Sequence, residues 1–515
     1  MLRRKSIIAR FTSSCAILGC VSTSLAIEPC ELARLTPSDL PDFGSFGRSV
    51  AVGDYIVVGA PGHSFQAPAA GAAYIYERVG TSWIEQARLF SPEPFIRQKF
   101  GTSVATEGDR IVIGANAFDI FGFAGIGAVY VYGRIDPPDC CADCRAPHEA
   151  PGCEDEACEA RVCRDIPTCC TSRWDLICAL LAEAACDPAP VPWKLEAELS
   201  APQPHFNDNF GFSVALSGPL LVVGVPGIVA YIFRLQGEAW VLEAELEGSG
   251  AFGAVVAVGA DTAVVSAHRS DLFGENAGAV YVFTHDGTSW TQQAILVASD
   301  TEPNDRFGTS VALHGDTIAI GALNSGLNGA AYIFRKIDGN WVEETKLEET
   351  GGDSVALGLD LLVVGSSRQD PGGAAFVFRR VDSAWVQQSV LVGSETAPGG
   401  EFGFATALNG GLSVVGPDRE GAFVFAVDDD CNDNGVADLC DIRDGTSSDL
   451  DGNTVPDECV TPPVIGPVPA VSAWGITTMI LLLLVCGKLR FRRRAADRSA
   501  GVGNRIGVGH FSEHR

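Results

Sequence analysis

FGTSVATEGDRIVIGAN stands at residues 100–116 and FGTSVALHGDTIAIGAL at residues 307–323. Two near-copies so far apart in one chain mean an internal repeat, and the period of a repeat decides the architecture. The Phe-Gly pair recurs at Phe46-Gly47, Phe100-Gly101, Phe210-Gly211, Phe252-Gly253, Phe307-Gly308 and Phe402-Gly403. A worn seventh copy, GGDSVALGLDLLVVGSS, starts at Gly351. With one insertion set aside the spacing is roughly 42 to 60 residues, which is blade-sized.

Inside each unit short apolar runs alternate and are broken by Gly, the pattern of strands. The first unit reads RSVAV, turn GD, YIVVGA, a loop, GAAYIYER, turn GTS and WIEQARL, which is four strands. In the last strand of each unit a Trp precedes a Leu by six positions: Trp83 and Leu89, Trp193 and Leu199, Trp240 and Leu246, Trp290 and Leu296, Trp341 and Leu347, Trp385 and Leu391. An even offset places both on one side of a regular strand. Packing between neighbouring sheets is the expected role, and stacking on sugars the rival one. The final unit stops before any Trp strand, while CELARL at residues 30–35 matches the end of WIEQARL. The missing outer strand therefore stands at the start of the chain, and pairing it with the last unit seals a ring.

The phrase FGxSVAxxGDxIVVGAP followed by GAAYIY resembles the FG-GAP repeat of integrin α-subunit propellers and their bacterial relatives, most fully at Phe46-Gly47 with Gly59-Ala60-Pro61. The resemblance covers residues 30–427 apart from the insertion and implies a seven-bladed β-propeller. Integrin propellers carry calcium loops of the form DxDxDG between first and second strands. Here that connection is GDY, GDR, SGP or GDT, too short to wrap a cation, so Asp54, Asp109 and Asp316 are read as turn residues. The expected fold is all-β: a seven-bladed β-propeller closed by an N-terminal outer strand, with a small disulfide-rich insertion and a C-terminal transmembrane helix.

A chain of 515 residues with formal charge −28 lacks the clustered cations that phosphate binding needs, which argues against a nucleic-acid partner. Arg3, Arg4, Lys5 and Arg10 precede an apolar run ending Ser24-Leu25-Ala26, a signal peptide over residues 1–26 for removal by signal peptidase. A cut before Cys20, making a lipoprotein, is the rival. Both predict export. VPAVSAWG at residues 468–475 resembles the IPTLxxWG motif that opens the C-terminal sorting signal of exosortase-bearing bacteria, through Pro469, Ser472, Trp474 and Gly475. An apolar run and the basic cluster Lys488 to Arg494 follow, so residues 468–494 read as a membrane helix with its far side cytoplasmic, and 495–515 as a cytoplasmic tail. The resemblance implies cleavage by an exosortase and release to the cell surface; a plain single-pass anchor is the alternative.

Residues 137–192 interrupt the second unit and hold ten cysteines between Cys140 and Cys186. In an exported chain this density predicts a disulfide framework rather than a zinc cluster. Residues 428–460, followed by a linker at 461–467, form an acidic stem. There Asp430, Asn432, Asn434, Val436, Asp438 and Asp441 fall on ligand positions of a twelve-residue calcium loop, and Asp449, Asp451, Asn453 and Asp457 on those of a poorer second loop. The stretch looks like dockerin or thrombospondin type 3 calcium repeats, or else is a solvated acidic linker. Cys431 and Cys440 flank the first loop and are expected to pair across it; Cys30 and Cys459 show no partner.

HExxH, GxSxG and GxxxxGK[ST] are all missing, and His63, His268 and His314 fall in different units, so no catalytic residue is assigned. A ligand site is expected where long loops gather, between second and third strands and leading into each unit, with Asp119, Asp271 and Glu275 as polar contacts. The expected function is a surface or secreted, non-enzymatic binding or adhesion propeller for an extracellular protein or glycan, on a calcium-binding stem. The alternative is an extracytoplasmic polysaccharide hydrolase or lyase.

Overall fold

The computed structural model describes residues 29–39, 44–116, 126–134, 193–203, 208–227, 229–394, 396, 398–417, 421–427, 431, 436–449, 456–457 and 459. The described residues up to Asp457 form one compact unit, and Cys459 is the one described residue of a second. The signal peptide, the insertion at 137–192 and the C-terminal segment 468–515 lie outside the described residues. Among the described residues no helix is long and apolar enough to cross a membrane.

Seven antiparallel sheets of four strands each make the ring, one per repeat unit. Strands buried on both faces, such as Ile56–Ala60 and Leu220–Val225, explain the unbroken apolar runs of the second position. The seventh sheet combines Ala405–Asn409, Leu412–Gly416 and Ala422–Ala426 with the first strand of the chain, Cys30–Leu35, whose Cys30 lies opposite Ala426 and Leu35 opposite Ala422. The ring closes as the sequence implies.

The outer strands correct one expectation. In each of them one residue bulges from the ladder: Tyr76 faces Glu85 while its neighbour Ile75 faces Ala87, and the same slip occurs at Glu196, Glu243, Gln293, Glu344, Gln388 and, in the closing strand, Leu32. An extra residue reverses the alternation beyond it. Trp and Leu therefore face opposite sides. Trp193 packs with Tyr55 and Val57 of blade one, whereas Leu199 of the same strand packs with Val223 of blade three. Each of the six blades with a Trp presents it to the preceding neighbour and its Leu to the following one, so the tryptophans are packing residues, as expected, although their register differs.

Three of the bulged side chains accept from the next blade's indole, whereas the Trp193 and Trp240 indole nitrogens are buried without a partner among the described residues. Trp290 donates to Glu243 (2.7 Å), Trp341 to Gln293 (3.1 Å) and Trp385 to Glu344 (3.4 Å). A double-mutant cycle on Trp290→Phe and Glu243→Ala is expected to return a coupling of about 1 kcal/mol in urea denaturation; zero coupling would mean that the indole only packs.

The repeated phrase serves the joints between blades. Its Phe is buried and meets third-strand rings, as Phe46 does on Tyr74 (5.2 Å) and Phe307 on Tyr332 (5.4 Å). Its Gly lets two backbones approach: Gly101 has φ +88°, and a Cβ there would stand 2.3 Å from the Ala72 carbonyl of the preceding blade. Its Ser donates to the corresponding Gly carbonyl of the following blade, Ser49 to Gly101, Ser103 to Gly211, Ser310 to Gly352 and Ser354 to Gly403. A further clasp comes from outer-strand glutamates. Glu85, Glu343 and Glu31 each accept both the amide and the hydroxyl of a serine just beyond the preceding outer strand: Ser38, Ser299 and Ser394.

Cysteine pairing differs from the expectation. Cys440 bonds Cys30, not Cys431, with Cα atoms 5.9 Å apart across a sequence separation of 410. Cys431 and Cys459 are each disulfide-bonded as well. Spacing had favoured the nearest cysteine, but the helix Asp438–Asp444 turns Cys440 toward blade seven, where Ala437, Leu439 and Cys440 are buried against Ala426, Leu32 and Leu412. Arg443 adds a hydrogen bond to the Glu31 carbonyl (2.7 Å). The first part of the acidic segment is thus docked on the ring.

Candidate functional site

The loops between second and third strands do gather with the loops leading into the next blade. Lys99 donates its amide to Ala69, Asn304 to Glu275 and Gly399 to Pro371, so each pair is stitched by backbone hydrogen bonds. Of these residues, Ala69, Lys99, Pro371 and Gly399 line a central channel of about 1100 Å³. Its wall is set by the residue following each Phe-Gly: Arg48, Thr102, Phe212, Ala254, Thr309, Asp353 and Phe404 all line it. Phe and Gly are fixed by the joint between blades. The residue after them borders the channel and differs from blade to blade. Sequence reasoning treated the phrase as wholly structural and missed this position, whose signal was its chemical diversity within an otherwise repeated phrase.

The wall is electrically mixed. Arg48 lies over the Phe404 ring with its guanidinium carbon 4.1 Å from the centroid, a cation–π contact. Burial lowers the Lys99 pKa, and Arg48 and Arg97 push it the same way. Across the channel, burial raises the Asp353 pKa from its ordinary value, although the Ser367 amide donates to Asp353 Oδ2 at 3.0 Å and Arg368 also favours the ionised form. Asp370 and Glu401 add carboxylates to the wall, and among the described residues it contains no histidine or cysteine.

A His–carboxylate pair does exist outside the channel lining. His63 Nε2 is 3.0 Å from Asp39, which also accepts from Tyr74 (2.8 Å) and Arg88 (2.6 Å). Burial works against the Asp39 charge, but Tyr74, Arg88 and His63 outweigh it and hold its pKa down. The arrangement recurs in blade five, where Asp300 accepts from Tyr332 (2.8 Å) and Lys346 (2.6 Å), and burial together with Asp300 pushes the Tyr332 hydroxyl up to about 12. Recurrence at a second joint between blades assigns the Asp39 cluster to the frame. His63 is buried, and its ring lies 5.7 Å from that of Phe90.

Of the ligand residues read from sequence, Asp271 and Glu275 lie exposed on the blade-four loop and outside the channel wall. Asp271 accepts the Asn276 amide (2.7 Å) and so shapes its own loop. Asp119 lies outside the described residues. Of the calcium positions, Asp430, Asn432, Asn434, Asp451 and Asn453 lie outside them too. Asp438 and Asp441 are described, one helical turn apart and 7 % and 3 % exposed. Asp438 accepts the Cys431 amide (3.0 Å), and Asp441 accepts the Thr446 hydroxyl (2.8 Å). Positions nine and twelve of the first loop therefore lie in the helix Asp438–Asp444. In the second loop, Asp449 and Asp457 are described, with the Asp457 amide donating to the Ser448 carbonyl (2.7 Å).

Comparison with protein families matches the FG-GAP repeat at residues 30–76, 83–132, 193–233, 244–283 and 290–334. This chain carries FG-GAP repeats. The FG-GAP matches begin at the closing strand, Cys30–Leu35, and cover the blades in which the phrase is best preserved. No curated protein matches. Similar solved structures include a chain from a crystal structure of the mitotic checkpoint complex, 10 % identical, covering 81 % of this chain and 100 % of that one, with TM-score 0.45. Another is the computationally designed Ika8 protein, 11 % identical, covering 76 % and 100 %, with TM-score 0.40. The FG-GAP ring thus provides a repeated frame with one non-repeated channel.

Proposed function

We propose that this FG-GAP propeller is a non-enzymatic binding or adhesion module, exported and displayed at the cell surface, which takes an extracellular protein or glycan at its channel mouth. The observation that carries the reading is the channel wall, where one variable residue per blade stands on a frame whose other residues are used for closure. Asp353 there has Arg368 as its charged neighbour rather than a second carboxylate, an arrangement for recognition more than for paired acid–base chemistry. The C-terminal segment 468–494 would anchor the ring or release it after exosortase cleavage.

In this reading the acidic segment binds calcium, held by Asp438 and Asp441 with Asp430, Asn432, Asn434 and the Val436 carbonyl. Asp449, Asp451, Asn453 and Asp457 form a weaker second site. Calcium at a hundred times its Kd is expected to stabilise the fold by about 2.7 kcal/mol, and Asp441→Asn to abolish that increment; a melting curve indifferent to calcium and chelator would remove the metal from the account. Glycan and protein arrays probed with the purified protein test the wider reading. Retention of an unaltered ligand is the expected result. Shortened glycan products would replace it with the hydrolase or lyase alternative.

A further inference from the structure

Blade six is where the repeat departs from itself, and its departures converge. Gly351 replaces the phenylalanine of the other copies, and Asp353 occupies the channel-facing position. Ser366 ends the second strand where blades one, two, four and five have Ala60, Ala115, Ala267 and Ala322. Each change alone looks like wear. Asp353 and Ser366 nevertheless line one small cavity of about 190 Å³ at the seam of blades five and six, with Asn324, Leu327, Asn328, Arg368 and Gln369. Gly351 abuts it: a Cβ there would meet Ser366 Cβ at 2.4 Å and Oγ at 2.5 Å.

The chemistry of these walls selects a ligand class. A carboxylate, a guanidinium, three primary amides and a hydroxyl surround the cavity, and the two formal charges cancel. Ser366 is 2 % exposed and lines the cavity. Arg368 donates to Asn324 (3.3 Å), and Asn324 donates to the Asn304 carbonyl (3.0 Å), so the two sides of the seam are held before a ligand arrives. An apolar ligand would strand these polar groups. An ionic ligand would leave the opposite member of the Asp353 and Arg368 pair uncompensated. A neutral molecule with several adjacent hydroxyls meets both demands, and Leu327, 93 % exposed, supplies an apolar surface for its C–H face. The volume is below the roughly 300–1,000 Å³ of drug-sized sites, which limits the guest to one ring.

We propose that the seam between blades five and six binds a single neutral sugar ring, free or as the terminal residue of a glycan. This rests on the binding reading above and names its ligand class. Saturation-transfer NMR of the purified protein against neutral hexoses and N-acetylhexosamines, with glucuronate and glucosamine as charged controls, tests it. The expected result is transfer to at least one neutral sugar and to neither charged control. Asp353→Ala and Asn328→Ala should each weaken binding about tenfold, as the loss of a hydrogen bond to the ligand does. Asn328 is exposed, so its variant reads the site even if Asp353→Ala impairs folding. No transfer to any neutral sugar at high millimolar concentration, or transfer unchanged in the Asn328→Ala protein, overturns the proposal. An array ligand still held by the Asn328→Ala protein overturns it while leaving the wider binding reading intact; an array on which the unaltered protein holds nothing overturns the wider reading.

Discussion

Replacing Cys30 by serine is expected to lower the stability of the ring by about 2–4 kcal/mol, read as a fall in the urea midpoint. Cys440→Ser should cost the same, and the double replacement no more than either alone, because both remove one bond. The size of the effect follows from the sequence separation of 410, since a cross-link that closes a long loop restricts the unfolded chain most. The native seam adds to it. The strand Cys30–Leu35 is tied to the ring through a single ladder with Ala422–Ala426, so its first residue would otherwise be a frayed end. An unchanged midpoint in the Cys30→Ser protein would show that the ladder and the Glu31 clasp hold the seam unaided.

Phe307→Ala is expected to cost about 3–5 kcal/mol, the range for deleting a fully buried aromatic ring. Phe307 is 0 % exposed and touches the rings of both Tyr332 and Phe334. The reciprocal change, Gly351→Phe, restores the common phrase to blade six and is nonetheless expected to destabilise. Gly351 has φ +88°, and Ser366 stands where a Cβ would go. Equilibrium denaturation of both proteins checks the contrast. A Gly351→Phe protein more stable than the parent would mean that blade six keeps an empty phenylalanine socket.

Most of the frame was legible because the ring obliges every blade to solve the same packing problem. The phrase gives the period, and CELARL betrays the closing strand by its likeness to WIEQARL. The bulge was not legible. Its residues, Gln86, Glu196, Glu243, Gln293, Glu344 and Gln388, carry neither Gly nor any other backbone signal, since a bulged position is defined by its partner strand. The Cys30–Cys440 bond was hidden for a related reason: spacing weighs neighbours in sequence, whereas the helix at 438–444 brings Cys440 to the far end of the chain. At the candidate site the sequence pointed to Asp271 and Glu275, which lie exposed on the blade-four loop and outside the channel wall. The channel wall comes instead from positions inside the repeat. The blade-six cavity comes from three substitutions whose proximity only the folded seam reveals.

The bond between Cys30 and Cys440 also determines how the molecule responds to tension. Cys30 is paired with Ala426 at the edge of blade seven, and the chain leaves the ring just beyond that point. Without the bond, a pull applied downstream of residue 440 would act on Ala426 alone and peel one strand from the other. With it, the same pull reaches both strands at the same end and moves them together. A force that would unzip the ring at its weakest joint becomes one that the whole blade must resist.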